Sequence, residues 1–162
     1  RHIDKIKDAT YERGYVYNIN YHLIWCTKYS RECFTNEDLV NEMKKIIFDI
    51  AEISDIEIKE IEVMPDHIHL LVSFKPKYSI TDVVKNIKGY TARIFLSNHS
   101  EIRDNQFWGG KLWSASYYVG TVGNMSNETV QHYIQNYYKF DFLIYYTNLL
   151  VFSYFFHLFQ LK

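Results

Sequence analysis

Apolar residues along this chain recur with two different periods, and the switches between them predict the elements. Residues 15–27 (YVYNINYHLIWCT) are rich in β-branched and aromatic side chains and alternate in their first half, which predicts a strand. From residue 36 to 53 the spacing becomes helical, with Leu39, Met43, Ile46, Ile47 and Ile50 on one stripe and Asn36 placed to cap the first turn. Residues 56–64 (IEIKEIEVM) alternate as a half-buried strand, and 67–74 read as a more apolar one. Pro65-Asp66 between them predicts a hairpin turn. A second helix is predicted over 79–97, with Ile80, Val83, Val84, Ile87, Ala92, Ile94 and Phe95 mostly on one side. Trp108-Gly109-Gly110 marks a turn, and residues 111–122 (KLWSASYYVGTV) predict a fourth strand. A last helix opens near Ser126 and runs to about residue 138, with Glu128 in the first turn where the helix dipole favours it. The order β-α-β-β-α-β-α is that of an α+β, ferredoxin-like split βαβ sandwich. Its antiparallel sheet carries helices on one face, and an extra helix follows at the C-terminal end.

Composition sharpens this picture in three places. A chain of 162 residues is one domain's worth, and its net charge of −1 gives no global basic field, so a nucleic-acid partner must be held by a local patch. Cys26 and Cys33 fit neither a disulfide framework nor a zinc spacing, and residues 1–14 are a polar, charged arm without an apolar signal core. Reduced thiols and a cytoplasmic location are the expectation. The third place is the tail, residues 141–162, where 142–161 (FLIYYTNLLVFSYFFHLFQL) hold no charge, glycine or proline. Its length suits a membrane span, but Thr147, Asn148, Ser153, His157 and Gln160 are scattered through it, so no membrane partner is expected. Two readings remain: a frameshifted or read-through extension of a domain covering residues 15–140, or an element packed on the body or a partner subunit. The coding DNA separates them, because a frameshift predicts a polar helical continuation in another frame.

The chemistry concentrates in Pro65-Asp66-His67-Ile68-His69. A strand repeats every two residues, so His67 and His69 share a face, and two imidazoles side by side make half of a metal site. On residues alone an equally ordinary outcome is two histidines hydrogen-bonded near a strand end. Downstream, Tyr133 and Tyr137 are four apart and share a helix face. With fifteen tyrosines in the chain, packing is the commoner fate of any one of them.

Four stretches, in this order and spacing, carry a more specific signal. They are Tyr21-His22-Leu23-Ile24-Trp25-Cys26-Thr27-Lys28-Tyr29, Val63-Met64-Pro65-Asp66-His67-Ile68-His69-Leu70-Leu71, Trp108-Gly109-Gly110-Lys111-Leu112-Trp113-Ser114 with Ser116 to Gly123, and Glu128-Thr129-Val130 through Tyr133-Ile134. Together they closely resemble the single-tyrosine HUH transposases (TnpA type) of insertion sequences, over about residues 15–137. The resemblance implies a homodimer that cuts and rejoins single-stranded DNA at element ends and recognises hairpins near those ends. It implies that His67 and His69 hold Mg²⁺ or Mn²⁺ with a third ligand, and that Tyr133 is the nucleophile forming a 5′-phosphotyrosine. One position departs from the pattern. The family usually has a glutamine one turn after the nucleophile to complete the metal site, and here that residue is Tyr137. Gln135 is near but points elsewhere on an ideal helix.

For DNA contact the candidates are Lys28, Arg31, Lys85, Lys88, Arg93 and Lys111, with Trp108, Trp113 and Tyr118 available to stack on bases. Charged helix faces are usually only solvated, and such aromatics usually pack. Two rival functions stay open: a relative that binds hairpins but is disabled by Tyr137, and a metal-dependent phosphodiesterase that uses water. A metal-free two-histidine phosphoesterase needs a second HxT or HxS motif, which this chain lacks.

Overall fold

A computed structural model of the chain describes Ile6 and residues 8–122. Its first two strands, β1 (Thr10–Glu12) and β2 (Tyr15–Tyr17), form a hairpin with Glu12 opposite Tyr15. Gly14 in the turn sits at φ +100°, a conformation side chains with a Cβ rarely adopt. The expected loose arm is therefore paired at residues 10–12, and the expected strand over 15–27 is two strands. It breaks after Tyr17, where Asn20 Nδ2 donates to Asn18 Oδ1 at 2.8 Å and this local side-chain bond competes with ladder pairing.

Four strands make the main sheet: β3 (Asn20–Cys26), β4 (Ile56–Val63), β5 (His67–Phe74) and β6 (Tyr118–Val122). Their spatial order is β4-β5-β3-β6, every neighbouring pair antiparallel. β5 thus lies between β3 and β4, which run the same way and are joined by a helix, as the split βαβ requires. In β4 the apolar phase slips between Ile58 and Ile61. A register shift between Ile58 and Glu60 absorbs the slip, so Ile58 and Ile61 both face the residues of β5 that point into the core.

The helices are α1 (Glu37–Ile53), α2 (Ile80–Asn98) and α3 (Ser100–Gln106). Asn36 Oδ1 accepts from the Leu39 amide at 3.0 Å and Ser79 Oγ from the Asp82 amide at 3.1 Å, so both long helices begin where the capping residues place them. The sequence pattern does not predict α3. This helix buries no residue and so has no apolar stripe to read. Leu23, Trp25, Ile68, Leu70 and Val72 from the strands pack on Met43, Ile47, Val84, Ile87 and Phe95 from α1 and α2. That core occupies one face of the sheet, in keeping with the α+β expectation.

The fourth strand is shorter than the pattern implies. Residues 114–117 stand outside the ladder because Lys88 Nζ donates to the carbonyls of Ser114 (2.7 Å) and Ser116 (3.1 Å). An ammonium with three donors replaces a strand partner there. Before it, Trp113 bridges Thr27 and buries its ring against Trp25 and Phe34. The last predicted helix, with Tyr133 and Tyr137, and the apolar tail lie outside the described residues. Among the described residues no helix is long and apolar enough to cross a membrane.

Trp113 Nε1 donates to Thr91 Oγ1 at 2.9 Å inside the core, and Thr91 is fully buried. Thr91→Val keeps the volume but removes the acceptor, leaving a buried N–H without this bond. The expected loss is about 1–3 kcal/mol, read by urea denaturation. A midpoint equal to that of the parent protein would show that Trp113 is held by packing alone.

Candidate active site

The pleat of β5 sends Ile68, Leu70 and Val72 into the helix-covered core and His67, His69 and Leu71 to the opposite face. On β3 the same alternation sends Leu23 and Trp25 to the core and His22, Ile24 and Cys26 to the histidine face. The register sets Cys26 opposite His67 and Ile24 opposite His69, which makes His22 the diagonal neighbour of His69. Three histidines gather this way. The ring centroids of His67 and His69 are 5.0 Å apart, and those of His22 and His69 are 5.4 Å apart.

The turn that delivers His67 is held from several sides. The Pro65 carbonyl accepts from the amides of Cys33 (2.9 Å) and Phe34 (3.1 Å), and the Asp66 carbonyl accepts from the Thr27 amide (2.7 Å). Across the mouth of the hairpin the Met64 amide donates to the His67 carbonyl at 2.8 Å. With its backbone fixed, the Asp66 carboxylate reaches His67 Nδ1 at 2.6 Å. A carboxylate only accepts, so Nδ1 of His67 carries the proton of this bond, which in the neutral form of the ring leaves the lone pair on Nε2. His69 Nδ1 is also engaged, with His22 Nε2 at 3.3 Å. Metal-bound histidines ordinarily use their other ring nitrogen in this manner.

Burial, followed by the neighbouring His67 and His22, pushes the His69 imidazole down to about 3. Burial also lowers His22. Both rings are thus neutral near pH 7, the form that ligates metal. The two thiols are driven the other way. Burial and then Asp66 raise Cys26, and burial pushes Cys33 up to about 12, so neither is a ready thiolate. Among the described residues no group of three or more His, Cys, Asp and Glu side chains is arranged to hold an ion. Those residues supply a histidine pair, with any third donor to come from elsewhere.

Comparison with known proteins matches the chain to one family. Residues 15–137 fit the family described as "Transposase IS200 like". The chain belongs to the IS200-like transposase family. It is 41% identical over 124 residues to the ISDra2 transposase TnpA of Deinococcus radiodurans, covering 76% of this chain and 87% of that one. It is 28% identical to the transposase for insertion sequence element IS200 of Salmonella typhimurium, covering 74% of this chain and 77% of the relative. A crystal structure from Deinococcus radiodurans R1, assigned as a transposase, superposes with a TM-score of 0.65 at 41% identity, over 78% of this chain and 96% of that one. A REP-associated tyrosine transposase bound to a REP hairpin shares the fold at a TM-score of 0.50 and 13% identity, over 76% of this chain and 67% of that one. The chain is therefore a DNA transposase, an enzyme type that cuts and rejoins DNA.

In this transposase the expected DNA-contact residues fall into two groups. Lys85, Lys88, Arg93 and Lys111 line one groove of about 590 Å³ with Tyr117. Lys85, Arg93 and Lys111 are exposed at its rim, while Lys88 is turned inward onto the Ser114 and Ser116 carbonyls. Lys28 and Arg31 instead flank the exposed ring of Tyr29, with Lys28 Nζ 4.9 Å from its centroid. Tyr29 and Ser30 both hold positive φ (63° and 49°), a strained pair of the kind that gathers at functional sites. Of the aromatic candidates, Trp108 is 80% exposed and Tyr118 52%, but Trp113 belongs to the core and is only 7% exposed. Neither His22 nor Asp66 stands out in the sequence as a site residue. For His22 the available signal is the β-alternation combined with one strand pairing.

The depressed His69 has a measurable consequence. The unfolded chain takes up this proton near pH 6.5 and the folded chain only near 3, so the associated stability is full above pH 6.5 and is lost as pH falls through that window. Metal-free parent protein should lose more stability than His69→Asn between pH 7 and pH 4.5 in urea titrations. Equal losses would assign the acid sensitivity to other groups.

Proposed function

We propose that this transposase cuts and rejoins single-stranded DNA at insertion-sequence ends, with Tyr133 as nucleophile and His67 and His69 as ligands of Mg²⁺ or Mn²⁺. The observation that carries this reading is the histidine pair on one face of one strand, each ring hydrogen-bonded through Nδ1 to a neighbouring side chain. Imidazole donors suit Mn²⁺ better than Mg²⁺, so Mn²⁺ is the first ion to test. The candidate third ligand is the phenol oxygen of Tyr137, at the position where the family usually has glutamine; Tyr137 and Tyr133 both lie outside the described residues.

A divalent cation held by His67 and His69 would supply Lewis-acid charge neutralisation at the scissile phosphate. The Tyr133 oxygen then bonds to phosphorus as the bond to the DNA 3′-oxygen breaks, and the electron pair leaves with that oxygen. The phenolic proton is lost and the 3′-oxygen gains one, giving a 3′-hydroxyl and a 5′-phosphotyrosine. Because the ester bond is conserved, a second 3′-hydroxyl reverses the step without ATP. Free tyrosine titrates near 10, so the proton needs help to leave from a base or from the bound charge. Positioning is most of what the protein contributes, and a rigid strand provides it better than a loop.

The DNA reading extends from the REP-associated protein, which was captured with a hairpin. Here the exposed Lys85, Arg93 and Lys111 would contact phosphates, and Tyr29 between Lys28 and Arg31 would stack on an unpaired base. A homodimer completes the proposal.

The test is a covalent-adduct assay on labelled single-stranded DNA from the ends of the source element, run on denaturing gels. A Mn²⁺- or Mg²⁺-dependent adduct is expected from the parent protein, with none from Tyr133→Phe and none from His67→Ala. Hairpin binding without any adduct would identify a disabled binder, and recovery in Tyr137→Gln would trace the defect to the third ligand. Cleavage that survives Tyr133→Phe would mean that water is the nucleophile.

A further inference from the structure

His22 is buried, and its Nε2 lies 3.3 Å from Nδ1 of His69. A hydrogen bond between these two nitrogens needs one proton, and which ring supplies it decides what His69 can do. If His22 donates, Nδ1 of His69 is the acceptor and the His69 proton sits on Nε2, where it blocks a metal. If His69 donates, its lone pair lies on Nε2, the form that the Asp66 carboxylate imposes on His67. Only the second arrangement gives both histidines the same tautomer.

We propose that His22 is a positioning residue that accepts the Nδ1–H of His69 and thereby fixes this ring as an Nε2 ligand. The fold holds His22 in place for this. It faces Leu71 on β5 and Gly120 on β6. A Cβ on Gly120 would lie 2.7 Å from Tyr118 Oη, so the Tyr118 side chain folds across the space that glycine leaves. Its ring stands edge-on to His22 at 6.2 Å. His22 is thus bracketed by His69 on one strand and Tyr118 on another. It needs no contact with the ion or the DNA to act.

The consequence for metal binding rests on the reading of His67 and His69 as ligands, but the tautomer itself does not. The test therefore uses two readouts on the full chain. Long-range ¹⁵N–¹H correlation of the imidazoles without metal, near pH 7.5, reports which nitrogen of His69 carries the proton. Titration with Mn²⁺ alone, by calorimetry, reports affinity. Parent protein and His22→Gln, whose amide oxygen still accepts, should both show His69 protonated at Nδ1 and bind Mn²⁺ alike. His22→Leu should move the proton to Nε2 and weaken Mn²⁺ by roughly 10–100-fold. A parent protein with His69 protonated at Nε2 overturns the proposal, and so does a His22→Leu variant with unchanged tautomer and affinity. Should His22→Leu not fold, the parent tautomer alone decides between the two arrangements. If the tautomers follow the expectation but no variant binds Mn²⁺, the role of His22 stands and the ligand reading fails.

Discussion

The antiparallel register between β3 and β5 is the constraint on which the rest of the structure depends. It sets Cys26 opposite His67 and Leu23 opposite Leu70, and the pleat does the rest. A slip of one residue would carry the apolar set to the wrong face and turn the histidines into the core. Burial of Leu23, Trp25, Ile68, Leu70 and Val72 against α1 and α2 makes such a slip costly, so the packing that stabilises the domain also fixes the site. His22 meets His69 only as a result of that register.

Around this pair of strands the loops are tied down by bonds to their backbone carbonyls. Amides from residues 27, 33 and 34 converge on the carbonyls of Pro65 and Asp66, and this leaves the Asp66 carboxylate at the His67 ring. On the other side Lys88 holds residues 114–116, from which the chain enters β6 and reaches Tyr118. A lysine whose ammonium is committed to carbonyls is less available to phosphate than its helix position suggests. The exposed cations Lys85, Arg93 and Lys111 are in the better position for it. Side chains supported in this way need little reorganisation when charge arrives, which is what the proposed phosphoryl transfer would require of them.

Much of the fold is legible in the sequence because its signals are local. Asn36 and Ser79 mark helix starts through bonds only three residues long, and the apolar periods of α1, α2 and β5 are unbroken. The errors fall where something other than an apolar period decides. Residues 10–12 look like an arm because their strand partner is a single short hairpin strand. Residues 114–117 look like strand because nothing in their own sequence reveals that Lys88 takes the partner's place. Trp113 looks available to DNA until Trp25, Phe34 and Thr91 close around it.

The same division runs through the site. The sequence by itself determined that His67 and His69 share a face, because the two-residue period of a strand permits nothing else. Its four motifs in order also placed the chain with the IS200-like transposases. What only the tertiary structure decided is which atoms of those histidines are held. Asp66 is adjacent in the chain, yet its reach to His67 depends on a turn fixed by residues 27, 33 and 34. His22 lies 47 residues from His69, and only the pairing of two strands brings the rings together. Hydrogen bonds act over about 3 Å, and no periodicity along a chain encodes a distance that short between residues so far apart.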